Sequence, residues 1–188
     1  MPEAILVLNG QLQAVFANRG ALKLFGLSDL DAALGQRPGE LVHCVHARER
    51  STGCGTTPFC RYCGAVNAIL QSQTGCAVVE ECRLRVEQPG GEKAMDLRVW
   101  ANPIRIGGEA FTIFVIADIA DEKRRAFLER IFIHDVLNTA TSLQGFAQLL
   151  AAGVPSGAQR DLVNQRIHAL SVRLVDEIHT HRLLMEAE

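Results

Sequence analysis

The chain has 188 residues, 48% of them apolar, and a formal net charge of −2. That composition supports one or two domains with a real core, and the lack of a basic block argues against a charged nucleic-acid-binding face. No apolar run approaches the roughly 20 residues that cross a bilayer, and no basic segment with a long apolar stretch opens the chain, so it reads as cytoplasmic with no membrane segment.

The first apolar run is Ala4–Leu8, ended by Asn9 and Gly10. Asn-Gly is a strong short hairpin signal, and residues 11–16 read as a second strand with Leu12, Ala14 and Phe16 on one face. Asn18 precedes Arg19–Phe25, an amphipathic helix with Ala21, Leu22 and Phe25 inward and Gly26 as its stop. Ser28 and Asp29 are suited to cap a helical turn over residues 30–34. Pro38 and Gly39 mark a turn before residues 40–43.

Residues 44–63, CVHARERSTGCGTTPFCRYC, hold Cys44, Cys54, Cys60 and Cys63, spaced C-x9-C-x5-C-x2-C. Six cysteines in a reducing compartment point to metal or redox chemistry rather than structural disulfides. Cys60 and Cys63 lie at a helix start, where backbone N–H groups favour thiolate. Gly53 and Gly55 let the backbone curl near an ion. Four thiolates suit zinc or an iron–sulfur cluster, with His43 and His46 as substitute ligands. Buried cysteines without metal and a reversible Cys60–Cys63 disulfide are the other readings. Cys76 and Cys82 fall in a strand and are assigned to the core.

Beyond this segment Gly64–Gln73 reads as a helix burying Val66, Ile69 and Leu70, ended by Gly75. Residues 76–86 alternate as a strand. Pro89, Gly90 and Gly91 form a turn. Residues 94–106 are a long strand with Leu97, Val99 and Ala101 on one face, and Pro103 predicts an edge or bulge near its end. Gly107 and Gly108 turn the chain into a last strand over residues 110–117. The expected fold is α+β: a five-stranded antiparallel sheet with helices on one face. This order resembles a PAS domain over about residues 3–121, and Asp118, Ile119 and Ala120 resemble the D-I-T motif that leads from a PAS sheet into a signalling helix. Domains are therefore expected at 1–120, a PAS-like sensor with a cysteine-rich loop at 43–64, and at 121–188.

The second domain is helical. Ile133, Val136, Ala140, Leu143, Ala147 and Leu150 recur at alternating gaps of three and four, a heptad seam. Residues 153–157 loop into a second helix carrying Val163, Ile167, Leu170, Leu174 and Ile178. A two-helix hairpin leaves one side of its stripe uncovered, which predicts a homodimeric four-helix bundle. His168, His179 and His181 read as surface or seam residues, not as a metal site. His134 lies on the shoulder of the seam beside Asp135, with Asn138 one turn on. A neutral imidazole is a nucleophile near pH 7.

FIHDVLNTA resembles the H-box of sensor histidine kinases, H-[DE]-x-x-[NT], which opens a dimerisation and phosphoacceptor hairpin. The resemblance implies a histidine protein kinase of a two-component system, a transferase in which His134 is the phosphorylated residue. Asp135 would be its acid/base, and Asn138 would assist hydrolysis of the phosphoryl group on the partner. Thr139 stands where the family usually has proline. The implied partners are a response regulator receiver domain and an ATP-binding domain. No Gly-rich nucleotide-binding segment lies within the chain, so ATP would enter only through that other domain, and the chain reads as part of a larger kinase, inactive alone. Some PAS-containing histidine kinases carry an oxygen-sensitive four-cysteine cluster, though with different spacing. The resemblance thus extends to a redox, metal or small-ligand cue. A non-enzymatic dimeric metal- or redox-binding PAS module is the alternative.

Overall fold

A computed structural model describes residues 3–186, and the side chains through residue 184. The chain divides into two compact units, Met1–Asp121 and Glu122–Glu188.

The first unit is built on a five-stranded antiparallel sheet: β1 (Ala4–Leu8), β2 (Ala14–Ala17), β3 (Val78–Gln88), β4 (Gly91–Ile106) and β5 (Glu109–Asp118), in the order β2-β1-β5-β4-β3. Helices α1 (Arg19–Phe25) and α3 (Gly64–Gln73) pack on it, α1 on β1 and β2 and α3 on the three-stranded meander. Alternate residues Leu6, Leu8, Leu97, Val99, Ala101, Phe114 and Ile116 join Ala21, Phe25, Ala68 and Ile69 in one core. Both helices therefore cover the same face of the sheet. Alternation on a pleated strand is what sorts these side chains from their exposed neighbours.

Asn18 locks the amino-terminal end of this unit. Its Oδ1 accepts from the N–H of Ile5 at 3.0 Å and of Ala21 at 2.8 Å, and its amide donates to the Glu3 carbonyl at 2.9 Å. One side chain thus caps α1 and ties it to β1. Gly26 closes α1 in the left-handed region, at φ 68°.

Several expectations are kept in part or corrected. The first hairpin does turn at Asn9 and Gly10, where the Leu12 N–H donates to the Asn9 carbonyl at 3.0 Å, but it is wider than a two-residue loop. Asn9 Oδ1 accepts from the N–H of Gln11 and Gln13, making a longer loop, and β2 starts only at Ala14. The register between β1 and β2 shifts at Val7 and Leu8, which turns Phe16 outward, 45% exposed. A bulge of this kind reverses the faces of the residues beyond it. The helical turn over residues 30–34 is present as expected, with Asp29 Oδ1 accepting from the Ala32 N–H at 3.0 Å and the Leu34 N–H donating to the Leu30 carbonyl at 3.2 Å. Pro38 does not stop the chain but opens a helical turn, α2 (Pro38–Leu41), at the position where proline's missing N–H costs nothing. Leu70 of α3 is 46% exposed, not buried.

Pro103 sits inside β4, and the ladder explains it. β3 begins at Val78 opposite Ala101, so at Pro103 only β5 is paired, through Thr112. The proline occupies a local edge, where no donor is missed.

The second unit consists of α4 (Ala120–Ala151), which begins at the end of the first unit, and α5 (Ala158–Glu186). They run antiparallel: Phe132 stacks on His181 at 3.8 Å and Thr139 reaches Glu177. Helix α4 runs unbroken through Thr139. The seam is the expected one in part: Val136, Ala140, Leu143 and Leu150 turn inward as expected. Thr139 is buried and Phe132, Val136, Leu143, Phe146 and Leu150 are half-buried, whereas Ile133 and Ala147 are exposed. The inner stripe therefore follows gaps of four then three from Phe132, one residue round from Ile133. On α5, Val163, Ile167, Leu170 and Leu174 face inward as expected, and Ile178 is exposed. Among the described residues no helix is long and apolar enough to cross a membrane.

Candidate functional site

Two constellations stand out, one in each unit. In the first, the chain between α2 and α3 wraps a cavity of about 240 Å³ on the covered face of the sheet. Cys44, Cys54, Cys60 and Cys63 all line it, together with His46, against a floor that includes Leu97, Val99 and Phe114.

Each cysteine is placed by its local fold. Cys44 is half of an isolated bridge to Val86 on β3, and the Glu87 N–H donates to the His43 carbonyl at 2.9 Å. His43, just before it, is held at φ 56°, a conformation a bulky residue adopts only when its surroundings impose it. Cys54 is anchored through its backbone: Arg37 donates to its carbonyl at 2.7 Å, and its N–H lies 3.4 Å from Glu40 Oε1. Its sulfur rests on Gly39, where any Cβ would come within 2.6 Å of Sγ, so only glycine fits. Cys60 lies in the 3₁₀ turn Pro58–Tyr62, with its sulfur 3.2 Å from Thr57 Oγ1. Cys63 caps α3.

The thiols differ in acidity. Burial pushes Cys54 up to about 12 and raises Cys44. Cys63 is drawn down to about 6, first by a hydrogen bond from the Cys82 thiol, then by the N–H groups of Val66 and Ala65 at the start of α3. His46 adds a favourable charge nearby, and its ring stacks on Phe59 at 4.3 Å while Nδ1 lies 2.5 Å from Glu49. His43 does not line the cavity and turns toward Arg48 instead, 3.3 Å away. Among the described residues, no three His, Cys, Asp or Glu side chains are gathered closely enough to hold a metal ion. The donor set has the softness that zinc or iron–sulfur ligation requires. Cys76 departs from expectation: it precedes β3 and is exposed. Cys82 is buried in β3, as a core residue, but its contact with Cys63 was not legible beforehand.

The second constellation is on α4. His134 is open to solvent, its side chain 71% exposed. Its Nδ1 lies 3.1 Å from Asp135 Oδ1, and the Asn138 amide nitrogen is 3.3 Å from Nδ1 and 3.2 Å from Nε2. With Nδ1 donating to Asp135, Nε2 carries the free lone pair and receives the Asn138 amide. The i, i+4 spacing of a helix brings Asn138 over the ring. Sequence reasoning missed what faces this group from α5. Arg173 donates to Glu177 at 2.7 Å, lies within electrostatic reach of Asp135, and shares a small groove with Asp135, Asn138 and Thr139. Thr139, in place of a proline, donates to Glu177 Oε2 at 3.4 Å. His181 stacks on Phe132, whereas His168 and His179 are exposed; none belongs to a ligand cluster.

The chain matches no protein-family model and no curated protein. Among solved structures it is similar to the PAS domain of nitrogen regulation protein NR(II) from Vibrio parahaemolyticus, at 19% identity over 63% of this chain and 91% of that one, with a TM-score of 0.44. It is also similar to a PAS domain from a two-component sensor histidine kinase, at 11% identity over 62% and 84% of the two chains, TM-score 0.40. A third likeness is to the PAS domain of Bordetella pertussis BvgS, at 20% identity over 73% and 88%, TM-score 0.41.

Proposed function

We propose that the chain is the sensory and phosphoacceptor part of a sensor histidine kinase, with Met1–Asp121 as a PAS-like input unit. The observation that carries this reading is the exposed His134 ring with Asp135 and Asn138 at 3.1–3.3 Å. Asp135 fixes the tautomer and leaves Nε2 as nucleophile. Nε2 attacks the γ-phosphorus of ATP presented by a separate ATP-binding domain. The N–P bond forms, the bond to the β-phosphate oxygen breaks, and ADP leaves. Asp135 stabilises the positive charge that builds on the ring. Asn138, 3.2 Å from Nε2, must swing away before attack. The phosphoryl group passes on to a receiver-domain carboxylate of a response regulator.

Homodimerisation completes this reading. Ile131, Ile133 and Leu137 on α4 and Val172, Val175 and Ile178 on α5 are 43–59% exposed, an apolar stripe of the sort a second hairpin covers in a four-helix bundle.

The cue is assigned to the cysteine cavity. Drawn closer together across the cavity they line, Cys44, Cys54, Cys60 and Cys63 would hold an iron–sulfur cluster or zinc, and a cluster would supply sensitivity to oxygen or potential. A route outward is present in the sheet: Cys82, Leu97 and Asp118 stand side by side in one cross-strand row. Asp118 Oδ1 then caps the N–H of Ala120, where α4 starts.

The test supplies the ATP-binding domain of a histidine kinase in trans and follows radiolabelled phosphate. Label on the wild-type chain that is acid-labile, and absent from His134→Gln, is the expected result. Equal labelling of both, or none of either with a domain active on its own hairpin, overturns the reading. Iron, sulfide and zinc counts after anaerobic purification decide the cofactor; a metal-free chain favours a plain ligand-binding cavity.

A further inference from the structure

The contact between Cys63 and Cys82 has no role in the proposed ligand set, since Cys82 lies outside the cavity lining. It is nonetheless built closely. Cys82 is 6% exposed in β3, paired with Leu97. The start of α3 lies against this point of the strand: a Cβ on Gly64 would come within 2.3 Å of the Glu81 carbonyl oxygen and 3.4 Å of Cys82 Cβ. Glycine at 64 is what lets the helix settle onto the strand, and that packing brings the neighbouring Cys63 sulfur to the Cys82 thiol, which donates to it. Cys63 is also open to the cavity, so a small solute can reach its sulfur while Cys82 stays behind it. Cys60, the sequence neighbour in the C-x2-C pair, is engaged elsewhere, by Thr57 Oγ1 at 3.2 Å.

We propose that Cys63 is a site of oxidation by hydroperoxides and that Cys82, not Cys60, resolves it as a Cys63–Cys82 disulfide. In the first step the Cys63 sulfur attacks one peroxide oxygen. The O–O bond breaks, the sulfur becomes a sulfenic acid, and the other oxygen leaves as water after taking up a proton. In the second step the Cys82 sulfur gives up its proton and attacks the Cys63 sulfur. The S–O bond breaks, a second water leaves, and the disulfide remains. Overall two thiols lose two hydrogens and one hydrogen peroxide becomes two waters. The cross-link would bind the first turn of α3 to β3 at the head of the Cys82–Leu97–Asp118 row. The chemistry belongs to the metal-free chain, in which the Cys63 sulfur is free, and stands apart from the kinase reading, since it does not involve His134. Its coupling to α4 rests on that reading.

The test uses the full chain, reduced and freed of metal by chelator, then exposed to a few equivalents of hydrogen peroxide. Remaining thiols are alkylated and the digest is read by mass spectrometry. The expected product is the Cys63–Cys82 peptide pair, lighter by two hydrogens and lost on reduction. In Cys82→Ala the pair is absent, and Cys63 instead carries the sulfenic-acid adduct of dimedone; Cys60→Ala leaves the pair unchanged. Trp100 fluorescence checks that each variant is folded. The wild-type map needs no variant at all: a Cys60–Cys63 pair as the main product, or a Cys63–Cys82 pair seen only after unfolding in urea, overturns the proposal. So does dimedone labelling of Cys63 that Cys82→Ala leaves as in the wild type. Loss of His134 phosphorylation would leave this outcome untouched, so the two readings fail separately.

Discussion

Phe114, the largest fully buried side chain of the first unit, and Thr139, the buried residue of α4, are 1% and 4% exposed and sit in opposite surroundings. Phe114 lies among Leu6, Leu97, Val99 and Ile116, a core that the sheet and its helices close by themselves. Thr139 is the only fully buried residue of α4, and the apolar residues around it, Ile133 and Leu137 among them, are largely open. A sheet with one covered face can finish its core within one chain, whereas two helices cannot. The first unit should thus behave as a self-sufficient domain, and the hairpin as half of something.

The largest expected effect tests the first half of that contrast. Phe114→Ala removes a ring from a closed core and should cost about 3–5 kcal/mol of stability. Urea unfolding followed through Trp100, the chain's single tryptophan, reads it directly. The loss should not depend on protein concentration; a cost below about 1.5 kcal/mol would mean that the core collapses around the gap and is not closed as described.

The second half of the contrast predicts a concentration effect. If a second hairpin covers the open stripe, a hundredfold dilution lowers the stability by about 2.7 kcal/mol per dimer, about 1.4 kcal/mol per helical unit, because association then contributes to folding. Far-ultraviolet circular dichroism at several concentrations, with sedimentation to count subunits, reads this. A hairpin that melts identically at every concentration would end the comparison.

How much of this was legible beforehand follows the same divide. Strand alternation at Leu97, Val99 and Ala101 places three core residues without ambiguity, since period two admits one inward face. The Gly26 stop is local chemistry and was equally readable. What failed needed tertiary knowledge. Phe16 turned outward because of a register shift at Val7 and Leu8 that leaves no mark on the sequence. The hairpin seam kept Val136, Ala140, Leu143 and Leu150 but took Phe132 and Phe146 in place of Ile133 and Ala147, because a helix with apolar residues on two sides does not announce which meets its own neighbour. For the sites, the spacing of Cys44, Cys54, Cys60 and Cys63 and the short motif at His134 could be picked out directly. Cys82 and Arg173 could not, because each meets its partner only through a fold-level contact.

The smallest effect concerns Thr139, where the comparison is sharpest. Its hydroxyl donates to Glu177 Oε2 at 3.4 Å, near the long limit of a hydrogen bond, and Glu177 already receives Arg173 at 2.7 Å through its other oxygen. Thr139→Val deletes this bond, worth about 0.5 kcal/mol at such a length, and puts a methyl group in the seam, worth about 0.8 kcal/mol when buried. The two nearly cancel, so the hairpin should shift by less than about 1 kcal/mol, toward greater stability. A larger loss would mean that Thr139 holds Glu177, and through it Arg173, in place beside Asp135. In that case Thr139→Val should also slow phosphorylation of His134, while Thr139→Ser, which keeps the hydroxyl, should restore the rate even though it empties part of the seam.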